Sequence, residues 1–196
     1  MYSNLSVKRF VRELSSDKPY PGGGSAACLV GTLGISLGLM VGRIVRKKKK
    51  ERGETKQVHS LDVSLRALSR LETAALRSID GDVIAYKQVV QAYSLKKGTP
   101  SRAGRIEKAL KQGYLFQKEF ALLLVNAMHL QNSLERIAQG SIASDLVLSR
   151  HFLRASFLGA CQTAKINLDY LKDKTFQTRE LRVLSLIAKK FERAGK

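Results

Sequence analysis

Residues 19–46 read PYPGGGSAACLVGTLGISLGLMVGRIVR, and how this stretch is read decides the fold. Pro19 and Pro21 fix their own backbone angles and keep Lys18 and Tyr20 out of the helical region. Gly22, Gly23 and Gly24 then supply a tight turn, and Ser25 is placed to cap the helix that follows. From Ser25 to Gly42 no residue is charged, long enough to raise a membrane span. Gly31, Gly34, Gly38 and Gly42, with Ala26, Ala27, Thr32 and Ser36, make this a helix of small residues. Close helix packing uses that pattern in a membrane and in a soluble core alike. The amino terminus of such a helix offers free amides to a carboxylate, phosphate or polarised carbonyl, and a tight turn without any ligand reads the same way.

The rest of the chain supplies the surroundings. A short amphipathic helix carries Leu5, Phe10, Val11 and Leu14 ahead of the turn and is expected to pack on the central helix. After it comes RIVRKKKKERGETK, eight basic residues against Glu51 and Glu54. That run reads as a solvated, partly mobile loop or frayed helix end rather than a dedicated nucleic-acid patch. Apolar residues at steps of three and four run from Leu61 to Ile79, break at Asp80-Gly81-Asp82, and resume from Val83 to Tyr93. Gly98 and Pro100 mark a loop. A long helix from Ile106 to Ile137 has Leu110, Tyr114, Phe120, Leu123, Leu124, Ala127, Leu130 and Leu134 as core. The next, about Ser144 to Leu171, presents Leu148, Phe152, Ala155, Leu158, Cys161 and Ile166, and the last starts near Gln177. No stretch alternates at period two. The expectation is an all-α, single-domain bundle, residues 1–196, of about seven helices around the Gly/Ala-rich helix.

Composition is ordinary for a globular protein at 44% hydrophobic and 26% charged residues. The charge is not: 35 basic residues against 16 acidic give +19. Such an excess favours an anionic partner, whether nucleic acid, anionic lipid or a polycarboxylate. Cys28 and Cys161 lie in apolar helical surroundings without metal spacing and read as buried free thiols. The first residues lack the apolar core of a secretory signal, so a cytoplasmic location is expected.

No H-E-x-x-H, Cys-x-x-Cys or Gly-x-Ser-x-Gly is present, so the sequence gives no support to zinc hydrolysis or a serine nucleophile, and no metal is expected. His59, His129 and His151 are far apart and read as surface or core residues. What remains is a set of polar residues in apolar helices: Asp80, Asp82, Ser144, Asp145 and Asn167. Capping accounts for Ser144 and Asp145 as readily as function does. Asp80 and Asp82 read equally as a helix-start pair, and Asn167 as a helix-to-helix hydrogen bond.

PYPGGGSAA followed by a small-residue helix resembles the opening motif of the cyclodeaminase domain of formiminotransferase-cyclodeaminase, a family that includes bacterial methenyltetrahydrofolate cyclohydrolases. The likeness continues through D-G-D-V-I-A-Y at Asp80–Tyr86, A-Y-S-L-K-K with Arg105 downstream, S-D-L at Ser144–Leu146 and I-N-L at Ile166–Leu168. Three departures bear on which reaction is catalysed: Thr163 stands where the family usually has Asn, Lys96 where Pro is common, and the helix after Arg105 lacks an internal Pro.

The resemblance implies a compact helical enzyme, expected as a homodimer without a membrane span, that handles a one-carbon unit on tetrahydrofolate. Cyclodeamination has N10 attack a formimino carbon with loss of ammonia; cyclohydrolysis has water attack a methenyl carbon. Both need proton transfer beside a carbon that is or becomes cationic, which a carboxylate can serve. Asp82 is the first candidate and Asp145 the second. On the same reading Gly22, Gly23, Gly24 and Ser25 bind the pterin or a carboxylate, with Ser144 and Asn167 as further contacts. Lys97 and Arg105 would meet a glutamate or polyglutamate tail. A non-catalytic folate-binding protein, or a nucleic-acid-associated basic helical protein of the same fold, is the alternative.

Overall fold

The computed structural model describes residues 1–195 and is built from six α-helices after a short 3₁₀ turn at Tyr2–Asn4, with no strand among the described residues. They are α1 Val7–Leu14, α2 Gly23–Glu51, α3 Thr55–Ser94, α4 Arg102–Glu135, α5 Ser141–Asp169 and α6 Lys174–Ala194. The count is one below the seven expected, because α3 runs unbroken through Asp80-Gly81-Asp82. Gly81 is tolerated inside it because a β-carbon there would come within 2.5 Å of the Phe116 ring, so its absence lets α4 pack close.

The small residues of α2 work in the same way, and it packs against α3, α4 and α5. A β-carbon on Gly31 would sit 2.5 Å from Ser156 Oγ, and one on Gly38 would sit 2.2 Å from Gln131 Nε2. Close approach brings side-chain donors onto the α2 backbone: Ser156 donates to the Ala27 carbonyl at 2.7 Å and Ser149 to the Gly34 carbonyl at 2.5 Å. This pairing, 27 with 156 and 34 with 149, makes α5 antiparallel to α2. α2 is long and apolar enough to cross a membrane, but 56% of its apolar window is buried in the bundle. Cys28, Ile35, Leu39, Leu68, Leu124, Leu153 and Phe191 anchor the main core.

Three other expectations change. The lysine run is ordered helix, continuing α2 to Glu51 rather than fraying. In α1, Phe10 is buried but Val11 and Leu14 are exposed. In α5 the face runs through Leu146, Ser149, Leu153, Ser156, Phe157 and Ala160, and Leu148, Leu158 and Ile166 point outward. The inward face of α5 carries serines because α2 presents backbone carbonyls to it, and that defeats a count of apolar residues.

Candidate active site

The turn at Pro19–Pro21, whose Tyr20–Pro21 peptide is cis, delivers the chain into α2 with Gly22 as the capping residue. Ser25 is therefore not the cap. It lies in the first turn of α2, fully buried, and its hydroxyl donates to Asp82 Oδ2 at 2.6 Å. The Ser25 amide dipole also favours the ionised form of this carboxylate. Asp82 reaches this position from α3 across the glycine turn. A β-carbon on Gly24 would lie 2.1 Å from Asp82 Oδ1, so the missing side chain of Gly24 is the space the carboxylate occupies.

On its other side Asp82 Oδ1 accepts a 2.7 Å hydrogen bond from Gln117 Nε2 of α4. Gln117 is only 1% exposed, and its Oε1 is buried with no hydrogen-bond partner. Among the described residues no cation pairs with Asp82. Burial raises its carboxyl above the ordinary aspartate value, a shift that the hydrogen bonds from Ser25 and Gln117 only partly offset. A carboxyl held in this way keeps its proton to a higher pH than an exposed aspartate does and can give it up to a polar group placed against it.

The same point opens to solvent through a cleft of about 370 Å³, lined by Pro19, Tyr20, Gly22, Gly23, Gly24, Asp82, Tyr86, Thr163, Ile166 and Asn167. Two aromatic rings border it. Tyr20 is steadied by the Lys87 ammonium, 4.8 Å from its ring centre, and Tyr86 is 44% exposed. Asn167 lies on the α5 wall, where Nδ2 donates within its own helix to the Thr163 carbonyl at 2.9 Å, and not between helices. Gly113 of α4 makes room for it: a β-carbon there would stand 3.0 Å from Asn167 Oδ1.

The structure thus brings together Gly22, Gly23, Gly24, Ser25, Asp82 and Asn167, and separates the other candidates from them. Ser144 and Asp145 lie in the first turn of α5, about 27 Å along the helix from Thr163 at 1.5 Å per residue. There Ser144 donates to the Ser141 carbonyl. This chain does not carry either residue to the cleft. Asp80 points away from Asp82 and accepts from the Tyr2 amide and the Ser3 hydroxyl, pinning the amino-terminal turn to α3. Lys97 is exposed in the turn after α3. Arg105 lines a second, polar cleft of about 320 Å³ with Gln88, Gln91, Lys108 and Gln112.

Gln117, Tyr20 and Tyr86 were missed in the sequence. Gln117 did leave a signal: it falls between Tyr114 and Phe120 on the buried stripe of α4, where a polar residue must have a partner. Among the described residues no group of three or more His, Cys, Asp or Glu side chains converges as a metal site would require.

The family model described as formiminotransferase-cyclodeaminase matches residues 6–183. The chain belongs to this family. Formimidoyltransferase-cyclodeaminase of Gallus gallus is 32% identical over 86% of this chain and 31% of its own length, and that of Dictyostelium discoideum is 34% identical over 89% and 32%. The chain spans about a third of the length of these relatives. A methenyltetrahydrofolate cyclohydrolase of Methylorubrum extorquens is 27% identical over 94% of the chain and 89% of its own length. The crystal structure of formiminotetrahydrofolate cyclodeaminase from Thermotoga maritima superposes with a TM-score of 0.88 at 24% identity, covering 100% of this chain and 94% of that one, and so shares its fold.

Proposed function

We propose that the chain is an enzyme of folate one-carbon metabolism and that its reaction is formiminotetrahydrofolate cyclodeamination. The observation that carries this is the Asp82 carboxyl, buried at the first turn of α2 with no cation paired to it among the described residues and opening into a cleft bordered by two tyrosines. The pterin lies between Tyr20 and Tyr86, with its polar edge against the free amides of Gly23 and Gly24. As N10 closes on the formimino carbon, Asp82 gives its proton to the formimino nitrogen, takes up the proton that N10 loses and passes it to the same nitrogen, which leaves as ammonia; the carboxylate left behind stabilises the methenyl cation. Ser25 and Gln117 fix the direction in which the carboxyl points. Cyclohydrolysis is the second reading, favoured by the Methylorubrum extorquens relative, which the chain matches over nearly its whole length. The folate is the substrate carrier, and no metal takes part in this reading.

A polyglutamate tail leaves the cleft along α4 toward Arg105 and Lys108, about 18 Å from Gln117 at 1.5 Å per residue. Lys97 stands beyond, at the turn. Residues 1–196 act as one folded unit in the cytoplasm. Two chains pair through the apolar surface that α2 and α5 leave open, including Leu33, Met40 and Leu158, exposed by 47%, 37% and 62%.

The test is ammonia release and methenyl formation from 5-formiminotetrahydrofolate, with methenyl hydrolysis measured in parallel on the same protein. Asp82→Asn must abolish whichever activity is present; undiminished turnover by that variant would overturn the assignment of Asp82.

A further inference from the structure

The other end of α2 carries a second concavity, about 36 Å from Gly24 at 1.5 Å per residue. It encloses about 210 Å³ between Val45, Lys48, Lys49 and Arg52 of the α2 end, Arg136, Ile137 and Gln139 of the α4–α5 connection, and Ile142 in the first turn of α5. Because α2 stays helical to Glu51, positions 45, 48, 49 and 52 share one face, and the lysine run is sorted by that geometry. Lys48, Lys49 and Arg52 line the hollow together with Arg136, and Lys47 and Lys50 do not. Among the described residues only Lys49 has a carboxylate, Glu54 at 2.7 Å. Lys48, Arg52 and Arg136 have none.

Offsetting the α2 dipole takes about half a charge, which Lys47 and Lys50 already supply. Four cations converging on one hollow with a single counter-ion repel one another unless an anion joins them. We propose that this concavity binds a phosphoryl anion: pyrophosphate, or the terminal phosphates of a soluble phosphate ester. Two guanidinium forks and two ammonium groups match an anion with several oxygens and more than one negative charge, as a single carboxylate does not. Val45, Ile137 and Ile142 form an apolar floor for the organic part of an ester. The site is separate from the Asp82 cleft and does not depend on the reaction proposed there.

The test titrates inorganic pyrophosphate into the full chain by calorimetry at physiological ionic strength. The paired variant Arg52→Gln/Arg136→Gln is compared with Lys189→Gln/Lys190→Gln, which removes the same charge from exposed positions of α6. The expected result is one-to-one binding, weakened at least about tenfold by the first pair and less than about twofold by the second, as loss of two guanidinium forks implies. A pyrophosphate-induced rise in melting temperature, present in the wild type and in the α6 pair, is the second readout. Absence of saturable binding would overturn the proposal, as would equal weakening by both pairs, the mark of net charge alone. Binding confined to single-stranded RNA or to phosphatidylserine vesicles, with none to pyrophosphate, would also overturn it.

Discussion

Gly24→Ala separates the requirements of helix stability from those of the site. Inside a helix alanine is preferred over glycine by about 1 kcal/mol, so the exchange should stabilise α2 if nothing stood in the way. Asp82 does stand in the way: the new β-carbon would be 2.1 Å from Oδ1, 2.6 Å from Cγ and 2.8 Å from Oδ2. Non-bonded heavy atoms rest near about 3.5 Å, so the carboxylate must retreat by about 1.4 Å. That breaks or stretches its hydrogen bonds from Ser25 at 2.6 Å and Gln117 at 2.7 Å. Each such bond to a charged group is worth about 1.5–3 kcal/mol, but a carboxylate displaced toward the open cleft regains water, so the net destabilisation should stay below about 2 kcal/mol. Turnover has no such compensation, and a misplacement of about 1 Å costs about a hundredfold. The assay pairs thermal melting with turnover on 5-formiminotetrahydrofolate. Gly104→Ala serves as control, because a β-carbon at Gly104 of α4 meets nothing within 4 Å and should raise stability at unchanged rate. Gly24→Ala protein that turns over within about twofold of wild type would refute the geometry, since the displaced carboxyl would then not be the reacting group.

Asp82→Asn should raise the melting temperature at neutral pH as it removes activity. Burial raises the folded carboxyl above its unfolded value, so ionisation costs stability as pH climbs past that value, and in strong acid, where both states are protonated, the variant's advantage vanishes. A pH series of melting curves checks both limits. Gln117→Leu removes the donor to Oδ1 and should cut turnover about tenfold or more with substrate KM little changed, read by steady-state kinetics. Glu180 runs the opposite way from Asp82: burial pushes it up, but Lys118, Tyr114 and Arg179 together hold it below the usual glutamate range. Its contribution is therefore present above the unfolded value and lost as pH falls through the folded one, and Glu180→Gln should cost about 1–3 kcal/mol at pH 7 in denaturant titration and nothing in strong acid. The proposed pairing through α2 and α5 predicts a dimer mass in sedimentation equilibrium that Leu33→Glu lowers to the monomer; a monomer mass for the unaltered protein would overturn the pairing, and a dimer unchanged by Leu33→Glu would overturn this interface.

Helix type and core were legible where packing is side chain on side chain. In α4 the apolar stripe through Leu110, Tyr114, Phe120, Leu124 and Leu134 is the buried one. Periodicity failed where a helix packs on backbone. In α5 the buried Ser149 and Ser156 donate to α2 carbonyls, so the polar residues lie inward and Leu148, Leu158 and Ile166 outward. Asp80-Gly81-Asp82 looked like a helix break because each residue alone disfavours helix; the structure gives each a tertiary role that outweighs propensity. The motif located half of the site, the glycine turn with Ser25 and Asp82. It misread Ser25, because capping is a local rule and the Ser25 partner lies 57 residues away.

The features around Asp82 share a direction that makes function the economical account of them. Each lowers stability: Gly24 gives up a helix-favouring side chain, Ser25 places a hydroxyl in the core, and Gln117 leaves Oε1 buried and unpartnered. The carboxyl they surround is the residue whose neutral replacement should stabilise the fold. An arrangement kept for stability would have placed a cation beside Asp82, as Lys118 is placed beside Glu180 at 2.8 Å. Leaving the charge uncompensated preserves an environment in which a cationic carbon entering the cleft becomes the counter-ion, and its attraction to Asp82 grows as that charge develops. The unpartnered Gln117 Oε1 extends the argument, since rotation of its amide would let Oε1 accept a hydrogen bond from the protonated Asp82 carboxyl. A protonated carboxyl and an ionised one can then be held in the same place by the same residue, as a group that gives up and regains a proton in each turnover requires.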